Sequence, residues 1–418
     1  PFDRSFANRQ FILSEVPLLD RNKVIGALER KRSEFQEFRQ SQAEQRDQLE
    51  DWLQTFYTHS VATLEAAIAA RGIPRPGALP TAELDEAEAL CLAFPHQWQD
   101  HRNARNWALE VLLNRPVLAV DGSQIAPTKD ISPAVGAIQI GWFLNEHTAG
   151  RGGYVKDVEF EILSPKLLSE EEGDDSGGSF ANQTVNRIRF EREVAKLCEL
   201  MERYADAPAP QKPLCFFDGS FIVSFAGTMR PEQARPYTRA VQKLLDCSTR
   251  FAVPLVAYID RSFSRDIIML MSNLQGEAAM MPVSDAALIA RCVEKWGDRS
   301  PLFICARDDA LSQNEQAAFY QDVVFTYLKL SSDAPPARIE MPRWIHEAGR
   351  AEEILDIVRA ECIVGANGYP YAVETADATA VISMPDRQRF YAIYQQFLKQ
   401  EDLALQQTHK AQSKLNRR

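Results

Sequence analysis

Apolar residues recur at three- and four-residue steps across residues 23–72 and stop at Gly72, which predicts an amphipathic helix. The stretch RPGALPTAE (75–83) is a proline-rich break, and a second helical pattern runs from 84 to about 113 before Pro116. The pattern then shortens. PVLAVDGS (116–123) is a buried strand closing on an acidic turn, and 134–144 and 154–163 are strands rich in β-branched and aromatic residues. A glycine-rich turn joins the latter two as a hairpin. An acidic, glycine-rich loop (169–179) leads to an amphipathic helix at 184–205. PLCFFDGSF (213–221) is another buried strand ending on an acidic turn, followed by a helix near 231–250 and a strand at 251–260. Further strands are expected at 323–330 and 337–342, and helices at 351–363, within 365–382 and beyond 386.

The central order is strand, strand, strand, helix, strand, helix, strand. This is the order of an RNase H-like fold: an α/β domain with a mixed five-stranded sheet flanked by helices. The expected organisation is a helical N-terminal extension (1–115), the sheet domain (116–385) and a C-terminal helix with a basic tail (386–418). Right-handed crossovers would set the first and fourth strands side by side. Asp121 and Asp218 would then face one crevice at the strand ends, where ligands of open α/β sheets bind.

Composition narrows this further. With 45% apolar and 25% charged residues, the 418-residue chain reads as globular, with ample material for a core. A net charge of −11 runs against bulk attraction to nucleic acid, so any such contact needs a local basic track. The seven cysteines are scattered with no Cys-x-x-Cys pair, which speaks against zinc ribbons and disulfide frameworks and for a reducing cytoplasm. No run approaches the roughly 18–20 apolar residues of a membrane span. The first 20 residues show no signal-peptide pattern. The six histidines show no metal-ligand spacing.

The chemistry therefore rests on carboxylates. VDGSQ and FDGSF each follow a hydrophobic strand, and each glycine permits a sharp turn that leaves the aspartate on a rigid strand end. Either alone is an ordinary Asp-Gly turn. On neighbouring strands they form a pair. The intervening helix adds Glu191, which falls on the stripe through Ile188, Val194, Cys198 and Met201. A buried carboxylate there needs a cation or a partner. A small rotation would put Glu193 in its place, and Arg187 one turn earlier offers Glu191 a simple ion pair. Asp, Glu and Asp make an oxygen-ligand site for Mg²⁺ or Mn²⁺, with two ions suited to in-line attack on phosphate.

VLAVDGSQ, RIRFEREVAKL, LCFFDGSF and GYPYAVETAD, in this order and spacing, resemble the NurA family of nucleases across about 117–382. The resemblance implies a manganese- or magnesium-dependent nuclease acting on DNA ends in repair, with 5′→3′ exonuclease and single-strand endonuclease activity. It also implies a homodimer and a HerA-type hexameric ATPase as partner. Residue by residue it assigns Asp121, Glu191 (or Glu193), Asp218 and Tyr369. A histidine common in the family eight residues after that tyrosine is here Asp377, itself able to ligate a metal.

Arg261, Ser262 and Arg265 in DRSFSRD follow a strand and offer groups for backbone phosphates; the same stretch also reads as a helix start capped by Ser264. Other families fit poorly. Ile125 breaks a von Willebrand-type Asp-x-Ser-x-Ser site, Ser123 replaces the second aspartate of a dehalogenase-type phosphatase, and no P-loop is present. The main alternative to an enzyme is a non-catalytic adaptor on a DNA-translocating ATPase.

Overall fold

The computed structural model describes residues 20–128, 131–150, 153–170, 179–276, 283–313, 318–365, 368–403 and 406–407. The acidic loop and the basic tip beyond 407 expected from the sequence lie largely outside them. The chain divides into two units, residues 1–51 and 52–418.

In the first unit α1 (Arg21–Arg30) starts on Asp20, whose carboxylate accepts from the Asn22 and Lys23 amides. It is followed at once by α2 (Arg32–Tyr57). The helix expected over 23–72 is thus divided. The third piece, α3 (Val61–Arg71), already belongs to the second unit; it is capped by Ser60 through the Thr63 amide and ended by Gly72 at φ 62°. Apolar periodicity continues across these breaks, so it does not reveal them.

The second unit then runs through β1 (Gly77–Pro80), α4 (Glu83–Glu86), α5 (His101–Leu112) and β2 (Val117–Ile125). A short β3 (Ile131–Ser132) precedes the hairpin of β4 (Gly136–Asn145) and β5 (Tyr154–Leu163). Next come α6 (Pro165–Glu170), α7 (Ser179–Glu202), β6 (Leu214–Asp218), α8 (Pro231–Phe251) and β7 (Leu255–Ile259). Helices α9 (Asp266–Gln275) and α10 (Asp285–Ile289) lead to β8 (Phe303–Ala306), α11 (Ala310–Gln313), β9 (Val323–Leu328) and β10 (Ala337–Pro342). The chain continues with α12 (Arg343–Glu347), α13 (Ala351–Val364), α14 (Tyr371–Ala380), α15 (Met384–Gln400) and β11 (Gln406–Gln407), the last paired with β3.

The main sheet has nine strands in the order β1-β8-β9-β10-β7-β6-β2-β4-β5, not the five expected. The order β5-β4-β2-β6-β7 agrees with the reading of residues 116–260, with β2, β6 and β7 mutually parallel. Four more strands extend the sheet beyond β7, beginning with β10, which pairs antiparallel to it. The strands at 323–330 and 337–342 were visible in the pattern, but their place in the sheet was not. β1 and β8 have four residues each, too few for a period to show.

The chain likewise does not divide at 115/116. Residues 77–80 form an edge of the sheet, and α5 packs on the core with α13. One face of the sheet buries Val117, Ala119, Leu214 and Phe216 beneath α13 and α14. Helices α7 and α8 cover the opposite face. Each large apolar side chain so buried contributes roughly 1.5–3 kcal/mol.

A chain of buried charges crosses this core. Asp266 at the start of α9 accepts from Arg307 at 2.6 and 2.7 Å and from Arg338 at 2.7 Å. Arg338 also donates to Glu340 at 2.7 Å. Two arginines thus balance two acids, the condition under which buried ions are tolerable.

Candidate active site

Strand parity places the two aspartates. Val117, Ala119 and Asp121 share one face of β2, and Leu214, Phe216 and Asp218 share the same face of β6. Val117 is in register with Leu214 and Ala119 with Phe216, so Asp121 and Asp218 come level on adjacent parallel strands. Asp218 ends β6 as expected, but β2 continues past Asp121 through Gly122 and Ser123 to Ile125, held by its pairing with β4, so the turn expected after Asp121 is not formed. The serines of the two Asp-Gly-Ser sequences anchor them. Ser220 donates to the fully buried Glu340 at 2.9 Å, and the Phe221 amide donates to the same carboxylate at 2.8 Å. Ser123 accepts from the Ile382 amide at 3.2 Å, tying β2 to the segment that follows α14. Gly219 holds φ at 137°, a conformation open to glycine and costly for other residues.

Gly122 points to the other face and admits α7. A Cβ there would lie 2.4 Å from the Glu193 carboxylate. Glu193 is buried, pairs with Arg189, and interacts electrostatically with Asp121 and Asp218. Arg189 also donates to the Gly122 carbonyl at 3.1 Å. Glu191, the favoured sequence candidate, is instead half-exposed and bonded to Arg187 at 2.8 Å. The reason is that the face of α7 against the sheet is partly polar. Arg189, Glu193 and Lys196 lie on it, with the Lys196 ammonium 4.8 Å from the centre of the Trp142 ring. Phe190 and Cys198 meet α8 at Tyr237 and Lys243. Counting apolar positions therefore mixes Ile188, packed beside Ile138 of β4, with Cys198 on the seam with α8, and does not pick out Glu193.

Tyr369 and Asp377 arrive from the C-terminal part. The Tyr369 hydroxyl donates to Asp218 at 2.9 Å, and its ring meets Tyr258 edge-on at 5.0 Å. Tyr258 in turn donates to the Gly368 carbonyl at 2.9 Å, fixing the turn before Tyr369. Asp377 on α14 lies near enough to Asp121 for its charge to raise the Asp121 carboxyl. Glu193 is the alternative that the helix pattern left open beside Glu191, and a further acid that the sequence reading did not single out, Asp260, lies just past β7 with its charge acting on Tyr369. The signal for Asp260 was available: it ends the strand next to the one that ends at Asp218.

The phosphate-binding candidates are placed apart from one another. Arg261 is exposed, Arg265 is half-buried at the start of α9, and Ser262 is buried with its hydroxyl accepting from the Ser264 amide at 3.2 Å. Ser264 does not cap α9. Between them Phe263 is 87% exposed, on the loop that leaves β7 beside Asp260.

The electrostatics are those of crowded acids. Loss of solvent raises Asp121 to about 6; the Gly122 amide opposes this, and Asp218 and Asp377 add to it. Burial raises Glu193 to about 8 against the pull of Arg189. Burial also raises Asp218, while the Tyr369 hydroxyl lowers it. Among the described residues no three His, Cys, Asp or Glu side chains are set at metal-binding geometry. The donor set nonetheless suits a hard divalent cation: it is all carboxylate, and the cation would relieve the repulsion that raises Asp121.

No described helix is long and apolar enough to cross a membrane. No curated protein matches the sequence. Among solved structures the chain is similar to the NurA nuclease from Sulfolobus solfataricus, at 14% identity over 69% of this chain and 85% of that one, with a TM-score of 0.45. It is also similar to a NurA bound to dAMP and manganese, at 12% identity over 65% and 85% of the two chains, TM-score 0.31. A NurA solved with manganese matches at 10% identity over 67% and 88%, TM-score 0.30. The family model for the NurA domain spans residues 115–382, which include both Asp-Gly-Ser sequences, Glu193, Tyr369 and Asp377, and the chain belongs to the NurA domain family.

Proposed function

We propose that this chain is a divalent-metal-dependent deoxyribonuclease that processes DNA ends in repair, built on an RNase H-like core. The observation that carries the reading is the level placement of Asp121 and Asp218 on one face of two adjoining parallel strands, with Tyr369 bonded to the second. Membership of the NurA family supports it.

Asp121, Asp218, Asp377 and Glu193 would hold Mn²⁺ or Mg²⁺, two ions in our reading, with Glu193 in the role first given to Glu191. When bound, such ions supply an activated water and stabilise the leaving 3′ oxygen. Tyr369 orients Asp218, and Arg189 restrains the charge of Glu193. Arg261 and Arg265, on the loop that follows β7, are the candidates for holding phosphate. In this reading the enzyme is a homodimer that works with a HerA-type ATPase as a 5′→3′ exonuclease and single-strand endonuclease.

The test is degradation of 5′-labelled single-stranded DNA with Mn²⁺ or Mg²⁺. Activity should vanish with EDTA and in Asp121→Asn and Asp218→Asn. One observation favours a second reading, a non-catalytic adaptor on a DNA-translocating ATPase: no three described ligand side chains converge. A wild-type protein inert with every divalent cation, alone and with its ATPase, would leave that reading standing.

A further inference from the structure

An open cleft of about 930 Å³, near the upper end of the roughly 300–1,000 Å³ usual for ligand pockets, is lined by the residue that precedes Tyr369. Its walls include His96, Trp98, His101, Arg105, Trp296 and Gly368. Gly368 precedes Tyr369, so the cleft and the Asp218 site share one loop. Most of the wall comes from residues 96–105, outside the matched span of 115–382.

The aromatic cluster is built around Phe94, which Trp98 and Trp296 meet at 5.6 and 5.8 Å, with Trp107 5.3 Å from Trp98. Phe94 is buried, sits against Gly297 where a Cβ would be 2.4 Å from its ring, and lies under the Arg359 guanidinium at 4.5 Å. Around it the rings of Trp98 and Trp296 meet at 5.0 Å and 59°, and both remain half-exposed. Trp296 is held by a 3.0 Å bond to the Leu330 carbonyl. His96, His101 and Arg105 are exposed. The acid of this wall, Asp100, is engaged with the Asn103 amide at 2.8 Å.

We infer that this cleft holds unpaired bases of single-stranded DNA, stacked on Trp98 and Trp296 with Arg105 on the backbone, and leads the strand to the acidic crevice. The inference rests on the nuclease reading for the strand's destination, not for its binding. Fixed, half-exposed indoles beside a cation are the elements of a sequence-tolerant stacking site. Paired bases in a duplex would not offer their faces to it. The net charge of −11 also makes stacking, rather than bulk attraction, the natural source of affinity.

The experiment uses the full chain in EDTA, so that no cutting occurs, with fluorescein-labelled oligo(dT). Trp98→Leu and Arg105→Glu should each weaken binding by about fivefold or more. Arg105 is exposed, so its variant is expected to fold. An oligonucleotide carrying 5-iodouracil should photo-crosslink the wild type at Trp98 or Trp296. Wild-type affinity in both variants, or crosslinks confined to other surfaces, overturns the inference. If the cleft binds and crosslinks while no divalent cation supports cutting, the nuclease reading falls and the cleft stands. If DNA is cut but affinity and crosslinks ignore the cleft, only the cleft falls.

Discussion

The backbone of Ala380 fills the space beside Gly141 that a Cβ would need, with the Ala380 nitrogen 2.7 Å and its Cα 2.9 Å from that position. Gly141 is the register partner of Asp121 across β2 and β4. This close approach seats α14 on the sheet and brings Asp377, one turn before Ala380, to Asp121. Gly141→Ala should therefore displace the helix. The expected cost is about 1–3 kcal/mol of stability, as for an overfilled core. Activity should fall by about a hundredfold, the effect of a shift near 1 Å in a catalytic group. Denaturant midpoints and nuclease rates measured together check this. Full activity in the variant would show that the seating of α14 is not what the site requires.

The two glutamates of α7 separate cleanly. Glu193→Gln should abolish metal-dependent cutting, because its buried carboxylate sits against Gly122, next to Asp121 in β2, and interacts electrostatically with Asp121 and Asp218. Glu191→Gln breaks an ion pair with Arg187 whose glutamate is one-third exposed, and should leave the rate within about twofold, since such pairs contribute up to roughly 1 kcal/mol. The reverse pattern would return the role to Glu191.

Tyr369→Phe removes one hydrogen bond to a carboxylate and keeps the ring on Tyr258. Bonds to charged groups contribute about 1.5–3 kcal/mol, so a rate loss of roughly tenfold or more is expected. The loss should appear in kcat with the melting temperature nearly unchanged. An unchanged kcat would remove Tyr369 from the mechanism.

Asp285, remote from the site, gives a prediction in pH. It is fully buried and accepts from the Ile267 and Ile268 amides and the Tyr327 hydroxyl. Burial raises it from 3.8 to about 6, and the nearby Asp266 adds to this. Between those values the folded chain binds the extra proton, so this group's contribution to stability is greatest near pH 4 and declines as pH rises through 6. Asp285→Asn lacks the titration. The stability of wild type relative to this variant should be greater at pH 4 than at pH 7 by on the order of 2–3 kcal/mol. A difference independent of pH, read from urea midpoints, counts against the assignment.

Much of this was legible in the chain itself. Strand and helix periods located β2, β4, β5, α7, β6, α8 and β7 in order, and that order implied the parallel neighbourhood of Asp121 and Asp218. Alternation along a strand is a local property, so it also determined that each aspartate shares a face with the apolar residues two and four positions before it. What depended on tertiary packing lay beyond local periods. A helix that meets a sheet partly with polar groups and another helix with apolar ones shows no single clean stripe, so periodicity left Glu191 and Glu193 both open. β1 and β8 are too short to carry a period, and β9 and β10 showed as strands without their place in the sheet, so a nine-stranded sheet looked like five. Gly141 read as an unremarkable residue and Gly122 only as a turn former until the Ala380 backbone and the Glu193 side chain that they admit were in place. Their role is the absence of a side chain, and only the packed structure shows what occupies the space.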